Sequence, residues 1–117
     1  MRKLGLLKPN NDIAQSVLLY QMETGETYAF LYKFKEDDFV YADEWYESLT
    51  DAEEVYTDRI NGEWIVIADP LPFCQSDAIM PIRVKGRDKE PLHPHWGEYE
   101  ILIDGEWKEY ISKLTKF

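Results

Sequence analysis

Ser16-Val17-Leu18-Leu19-Tyr20-Gln21-Met22-Glu23-Thr24-Gly25-Glu26-Thr27-Tyr28-Ala29-Phe30-Leu31-Tyr32-Lys33-Phe34 is the stretch whose reading decides the fold class. Two apolar arms, 16–22 and 27–34, flank a glycine-containing turn signal, the pattern of an antiparallel hairpin. In the second arm Tyr28, Phe30, Tyr32 and Phe34 occupy alternate positions, so their rings share one face of a strand.

The same punctuation recurs twice. Asn61-Gly62-Glu63 and Asp104-Gly105-Glu106 repeat the Gly-Glu step, and both continue into Trp. Asp-Gly favours a two-residue type I′ turn, because both central positions need a positive φ. Glu98–Ile103 and Glu106–Ile111 therefore read as a last hairpin. At the middle signal Trp64–Ile67 reads as a strand, but the preceding residues read as helix. Asn61-Gly62 is accordingly expected to be that helix's C-cap. The surroundings of the two Gly-Glu-Trp triplets share no further pattern, which favours a common turn solution over a duplication.

Outward from the hairpins lies the charge. Residues 36–63 hold eleven acids (Glu36, Asp37, Asp38, Asp43, Glu44, Glu47, Asp51, Glu53, Glu54, Asp58, Glu63) and one base, Arg59. The rest of the chain balances twelve acids against twelve bases, so the whole net charge of −10 belongs to this segment. At 100° per residue Asp43, Glu47, Asp51, Glu54 and Asp58 form one acidic stripe. Ala42, Trp45, Leu49, Ala52, Tyr56 and Ile60 form the opposite, core-facing stripe. A competing reading ends a strand near Tyr46 and starts the helix at Ser48 or Thr50, where Thr50-x-x-Glu53 fits a capping box and Ser48-x-x-Asp51 is its weaker relative. The spacing predicts helix over 50–59 under both readings and leaves 39–47 open. Like charges four apart destabilise a helix by about 0.2–0.5 kcal/mol per pair, so a continuous stripe invites a reason.

Composition bounds the class. The chain has 117 residues, 44% of them hydrophobic, with eight Tyr, five Phe and four Trp. This suits a single α+β domain over 1–117 with a core of large rings. The expected architecture is an antiparallel sheet of about five to six strands with one amphipathic acidic helix on a face. Leu49, Ala52 and Tyr56 of that helix, and Trp45 if the helix extends to it, are expected to meet Tyr28, Phe30 and Tyr32. A lone Cys74 excludes an intrachain disulfide and fits a cytoplasmic protein. The basic start ends its apolar run at Lys8, too short for a secretory signal, and no run approaches a membrane span. An acidic balance argues against nucleic acid as a partner. The five charges of the stripe are also sparser than the phosphates of a duplex or a single strand.

From Asp69 to Trp96 the chain carries Pro70, Pro72, Pro81, Pro91 and Pro94 and reads as loop, except that Ile79 to Lys85 can form a strand, whether from Ile79 or only after Pro81. Leu71-Pro72-Phe73-Cys74 and Ile79-Met80-Pro81-Ile82 are expected to fold back over the sheet. Arg83, Lys85, Arg87 and Lys89 would alternate onto one face if the strand extends, pairing with the acidic helix or with Glu98 and Glu100, or holding a small anion. His93 and His95 could share a metal, with Cys74, Asp69 or Asp77 completing the set, but the spacing matches no metal motif. Cys74 with either histidine would make a nucleophilic pair only if folding brings them together. Trp64 and Trp107 are expected to cover one sheet face. No phosphate loop, nucleophile elbow or EF-hand pattern occurs, and no cofactor is implied.

Two functions of different class follow. The first is a non-catalytic module that binds a basic protein through the stripe Asp43, Glu47, Asp51, Glu54 and Asp58. The second is a small-molecule or metal-binding protein, or an enzyme, using the Asp69–Trp96 loop with Cys74, Arg83, Lys85, His93 and His95. A third reading is self-association through exposed aromatics. In composition, though in no motif, the chain resembles small, acidic, aromatic-rich immunity proteins of bacteria. That resemblance implies an inhibitor among the first class.

Overall fold

Gly25 at φ 96° closes the first hairpin, and Asp104 and Gly105, both at positive φ, close the last. Each turn organises one sheet. The computed structural model describes residues 1–9, 14–33, 40, 42–89, 92, 93 and 95–111. Phe34 of the first hairpin, the acids Glu36, Asp37 and Asp38, and the prolines Pro91 and Pro94 lie outside the described residues.

The strands are β1 (Arg2–Leu6), β2 (Ser16–Gln21), β3 (Thr27–Tyr32), β4 (Ala42–Tyr46), β5 (Ile65–Ile67), β6 (Ile82–Lys85), β7 (His95–Ile103) and β8 (Glu106–Tyr110), with helix α1 (Leu49–Tyr56) between β4 and β5. Two antiparallel sheets result, ordered β4-β3-β2-β1-β5 and β6-β7-β8. The architecture is α+β, as the alternation and turn chemistry predict. β1 is the addition to the sequence reading. Gly5 gives it a weak strand signature, yet a Cβ there would stand 2.9 Å from the Trp64 ring, so only glycine lets that indole lie on the strand.

Within the open segment 39–47, Ala42–Tyr46 form a strand rather than helix. β4 pairs with β3 from Thr27↔Tyr46 to Leu31↔Ala42, and α1 begins after Ser48. The cap is Ser48, whose hydroxyl accepts from the Asp51 N–H at 3.1 Å. The weaker cap candidate thus prevails over Thr50, which lies inside the helix. Gly62 is not a C-cap. α1 passes into a 3-10 turn at Thr57–Arg59, Ile60 turns extended to bridge Leu7, and the Asn61 N–H donates to the Leu6 carbonyl at 2.7 Å. Pairing with β1 ends the helix, and Gly62 only turns the chain toward β5.

Strand register sorts the five-stranded sheet into two faces. On one, Ala52, Tyr56 and Ile60 bury against Val17, Leu19 and Ala29, with Leu31, Tyr46, Leu49 and Trp64 at the margin. On the other, Leu18, Phe30 and Tyr32 form a second core with Leu4, Tyr20, Tyr28, Ile67 and Ile79. The rings of β3 therefore do not meet the helix. α1 packs on the alternate set, where Ala29 leaves room for Tyr56. Trp45, a core residue only under the longer-helix reading, stands opposite Tyr28 on the ring face and is 51% exposed.

The ring face is covered by the proline-rich segment after β5, and a buried arginine holds that cover. The Arg2 guanidinium donates to the carbonyls of Ala68 (2.8 Å), Ser76 (3.1 Å) and Ala78 (2.6 Å), and the Tyr32 hydroxyl donates to the Asp77 carbonyl. Arg2 is 4% exposed. A guanidinium has five donors in a fixed fork, so one side chain satisfies several carbonyls of an irregular segment that has no ladder of its own. Ala78 then joins Ile82 and Ile101 in the core of the second sheet, and the Leu102 N–H donates to the Pro81 carbonyl. The fold-back of 71–82 is partial: Ile79 and Ile82 pack inward, whereas Leu71, Phe73 and Met80 stay exposed. Trp64 packs on the first sheet and Trp107 lies in the second, so the two do not share a face.

Candidate functional site

The acidic stripe is split by the β4–α1 boundary. Asp43 pairs in register with Phe30 and so lies on the ring face, whereas Asp51, Glu54 and Asp58 stand on the outer side of α1 and its 3-10 extension. Glu47 is exposed in the connection between them. The expected repulsions Asp43/Glu47 and Glu47/Asp51 at helical spacing do not arise. Asp51 instead sits in the first turn of α1, where the helix dipole favours a negative charge.

The acids of this region divide by use. Glu44 projects onto the helix side and accepts from the hydroxyls of Tyr46 and Tyr56. Burial, followed by the bond to Glu44, pushes the Tyr56 phenol far above its ordinary value. Burial, followed by the charge of Glu44, raises that of Tyr46. Glu53 pairs with Lys3, whose ammonium also lies 5.5 Å from the centroid of the Trp64 ring. Asp43, Glu47, Asp51, Glu54 and Asp58 are exposed and form no ion pair among the described residues.

The alternative loop residues are not assembled into one centre. β6 ends at Lys85 because Gly86 turns at φ 79° and the His95 ring occupies the space a Cβ at Gly86 would need. Arg87 and Lys89 follow in a turn, so the four bases do not share a strand face. Arg83 pairs with Glu100 (3.2 Å) and Asp88 (3.3 Å) and stacks 3.7 Å from the Trp107 centroid. Lys85 lines a cavity of about 290 Å³ along β7 and β8 with Glu98, Glu100 and Glu109.

Cys74 bridges Arg83 on one side of β6, whereas His95 pairs with Lys85 on the other. Two strand spacings, about 10 Å, separate those backbones. Burial raises the Cys74 thiol above its ordinary value, the direction opposite to an activated nucleophile. His95 belongs to β7 and pairs with Glu98 at 3.3 Å, and His93 is exposed in the preceding turn. Among the described residues no cluster of three His, Cys, Asp or Glu is arranged to hold a metal. No helix among them is long and apolar enough to cross a membrane.

Sequence reading did not single out a groove on the ring face. It has a volume of about 480 Å³ and is lined by Tyr20, Met22, Tyr28, Phe30, Gln75, Ser76 and Asp77. Across the sheet Trp45, Tyr28, Tyr20 and Arg2 stand in one register row, and Asp43, Phe30, Leu18 and Leu4 in the next. The Asp77 carboxyl is raised above its ordinary value by burial, while its own backbone N–H lowers it and the charge of Asp43 raises it further. The legible part was the ring alternation of β3. The wall 75–77 comes from a segment about forty-five residues downstream, as the Tyr32–Asp77 bond records.

Comparison with protein-family models, with curated proteins and with solved structures gives no match.

Proposed function

We propose that the protein is a non-catalytic binding module that engages a basic protein partner through the acidic surface of α1 and the β4–α1 connection, in the manner of an inhibitor. The observation that carries this reading is the division among the acids. Glu44 and Glu53 serve internal contacts, while Glu47, Asp51, Glu54 and Asp58 stay outward and without ion pairs among the described residues. Acids not used in folding remain available to a partner. A surface of one sign steers an oppositely charged partner and sets register on encounter. Asp43 belongs to the neighbouring face and would act there rather than in the helix row. The immunity-type role rests on composition and is the narrower form of the same proposal.

The test is affinity capture at low salt with mass-spectrometric identification. It compares the wild type with a variant carrying Glu47→Gln, Asp51→Asn, Glu54→Gln and Asp58→Asn. The reading expects a basic protein that the variant loses and that salt releases, since exposed charges are screened over about 8–10 Å at 0.1–0.15 M. Equal retention by both proteins, or retention indifferent to salt, would falsify it.

A further inference from the structure

The groove on the ring face joins an aromatic floor to a polar wall of Gln75, Ser76 and Asp77. Tyr20 and Tyr28 pair across β2 and β3, and the rings of Tyr28 and Phe30 are parallel to within 1° with centroids 5.8 Å apart. Strand geometry holds this floor rigid. The wall is tied to the sheet, because the Ser76 and Asp77 carbonyls accept from Arg2 and Tyr32. Asp77 contributes the charge, and Asp43 lies close enough to act on it. At the open edge Trp45 presents a half-exposed indole opposite Tyr28.

Ring faces attract cations, most strongly where water is excluded, and a guanidinium both stacks on a ring and hydrogen-bonds a carboxylate. The volume of about 480 Å³ falls within the about 300–1,000 Å³ of ligand pockets. Arg2, beneath the wall, is buried, donates to three carbonyls and feels the opposing charge of Asp69. Its donors are directed at backbone oxygens.

We propose that this groove receives an arginine side chain of the basic partner, its guanidinium against the Asp77 carboxylate and its stem over the Tyr20 and Tyr28 rings. The proposal rests on the basic-partner reading above and names the residue that partner would insert. Asp77 supports it from a second direction. A carboxyl held partly out of water is destabilised in its charged form, and an incoming cation relieves that penalty.

The experiment is a titration of the full ¹⁵N-labelled chain with a capped Gly-Arg-Gly peptide, followed by amide shifts, beside the same peptide carrying citrulline, the neutral isostere of arginine. The expected result is a saturable response at Tyr20, Tyr28, Gln75, Ser76 and Asp77 with arginine and none with citrulline. Asp77→Asn should weaken binding on the order of tenfold, the size of one charge-assisted hydrogen bond. The variant neutralised at Glu47, Asp51, Glu54 and Asp58 should keep its groove response, so loss of partner capture and loss of groove binding are read separately. Equal responses to the two peptides, or an arginine response confined to α1, overturn the groove assignment. Neither outcome touches the result of the capture experiment.

Discussion

The two faces of the five-stranded sheet are closed by different physics. On one, α1 buries Ala52 and Tyr56 against small and branched residues of β2 and β3, and apolar burial does the work. On the other, large rings are capped by an irregular, proline-rich segment that Arg2 and Tyr32 hold by its carbonyls. A helix brings its own backbone hydrogen bonds and can seal a face completely. A loop must borrow partners for its polar groups, and where it does not reach it leaves a groove. The difference teaches that the less regular cover is the one with room for a ligand.

The largest expected effect tests the helix side. Tyr56→Ala removes a ring that is 1% exposed and should destabilise the fold by about 4 kcal/mol in chemical denaturation. A loss below about 1 kcal/mol would mean that the helix face is not the stronger closure. Next comes the clamp. Arg2→Leu leaves three carbonyls without their donor and should remove about 3 kcal/mol. Hydrogen exchange should quicken at Ala78 and Ile82, whose backbones lie in the covering segment and its continuation, before it quickens at Ala52. Simultaneous loss at all three would erase the distinction between the faces.

A smaller effect sharpens where the helix begins. Ser48→Ala should lower stability by about 1 kcal/mol, and Thr50→Ala by much less, because Ser48 is the cap. The reverse order of midpoints would restore Thr50 as the start.

Two pH experiments close the series. Tyr56 is raised by burial and by Glu44, so its neutral form is favoured in the folded state. That contribution is fully present below the unfolded tyrosine value of about 10 and is lost as the pH rises above it. Tm should fall in that alkaline window, and Tyr56→Phe should flatten the fall while losing about 1 kcal/mol at neutral pH. A slope unchanged by Tyr56→Phe would assign the titration elsewhere, to Tyr46 first. Asp77 is also raised, so its stabilising contribution exists below the unfolded value of about 3.9 and is lost as the pH climbs through the folded one. At neutral pH Asp77→Asn should therefore raise Tm by about 2 °C, with the gain shrinking in acid. A lower Tm for the variant would show that the ionised carboxylate stabilises the wall.

Much of the fold was legible. Asp104-Gly105 announces its hairpin because few residues other than Gly, Asn or Asp tolerate positive φ. The alternation of Tyr28, Phe30 and Tyr32 announces a strand with a ringed face. The strand β1 was not legible, since Gly5 hides its pattern and its purpose appears only with the Trp64 ring beside it. Of the candidate site, the outward acids of α1 could be named from spacing. The helical stripe stops short of Asp43, which fits both a 100° and a 180° period, and only pairing with Phe30 decides between them.

The sequence by itself determined that the rings of β3 share a face, where the two hairpins turn and where the net charge gathers. These follow from local backbone geometry and from side-chain periods of 2 and 3.6. Only the tertiary structure decided what lies against each face: α1 over Ala29, the 75–77 wall over Tyr28, and Arg2 beneath that wall. A periodic pattern states that a surface must be covered. What covers it depends on contacts between distant segments, which no local spacing encodes.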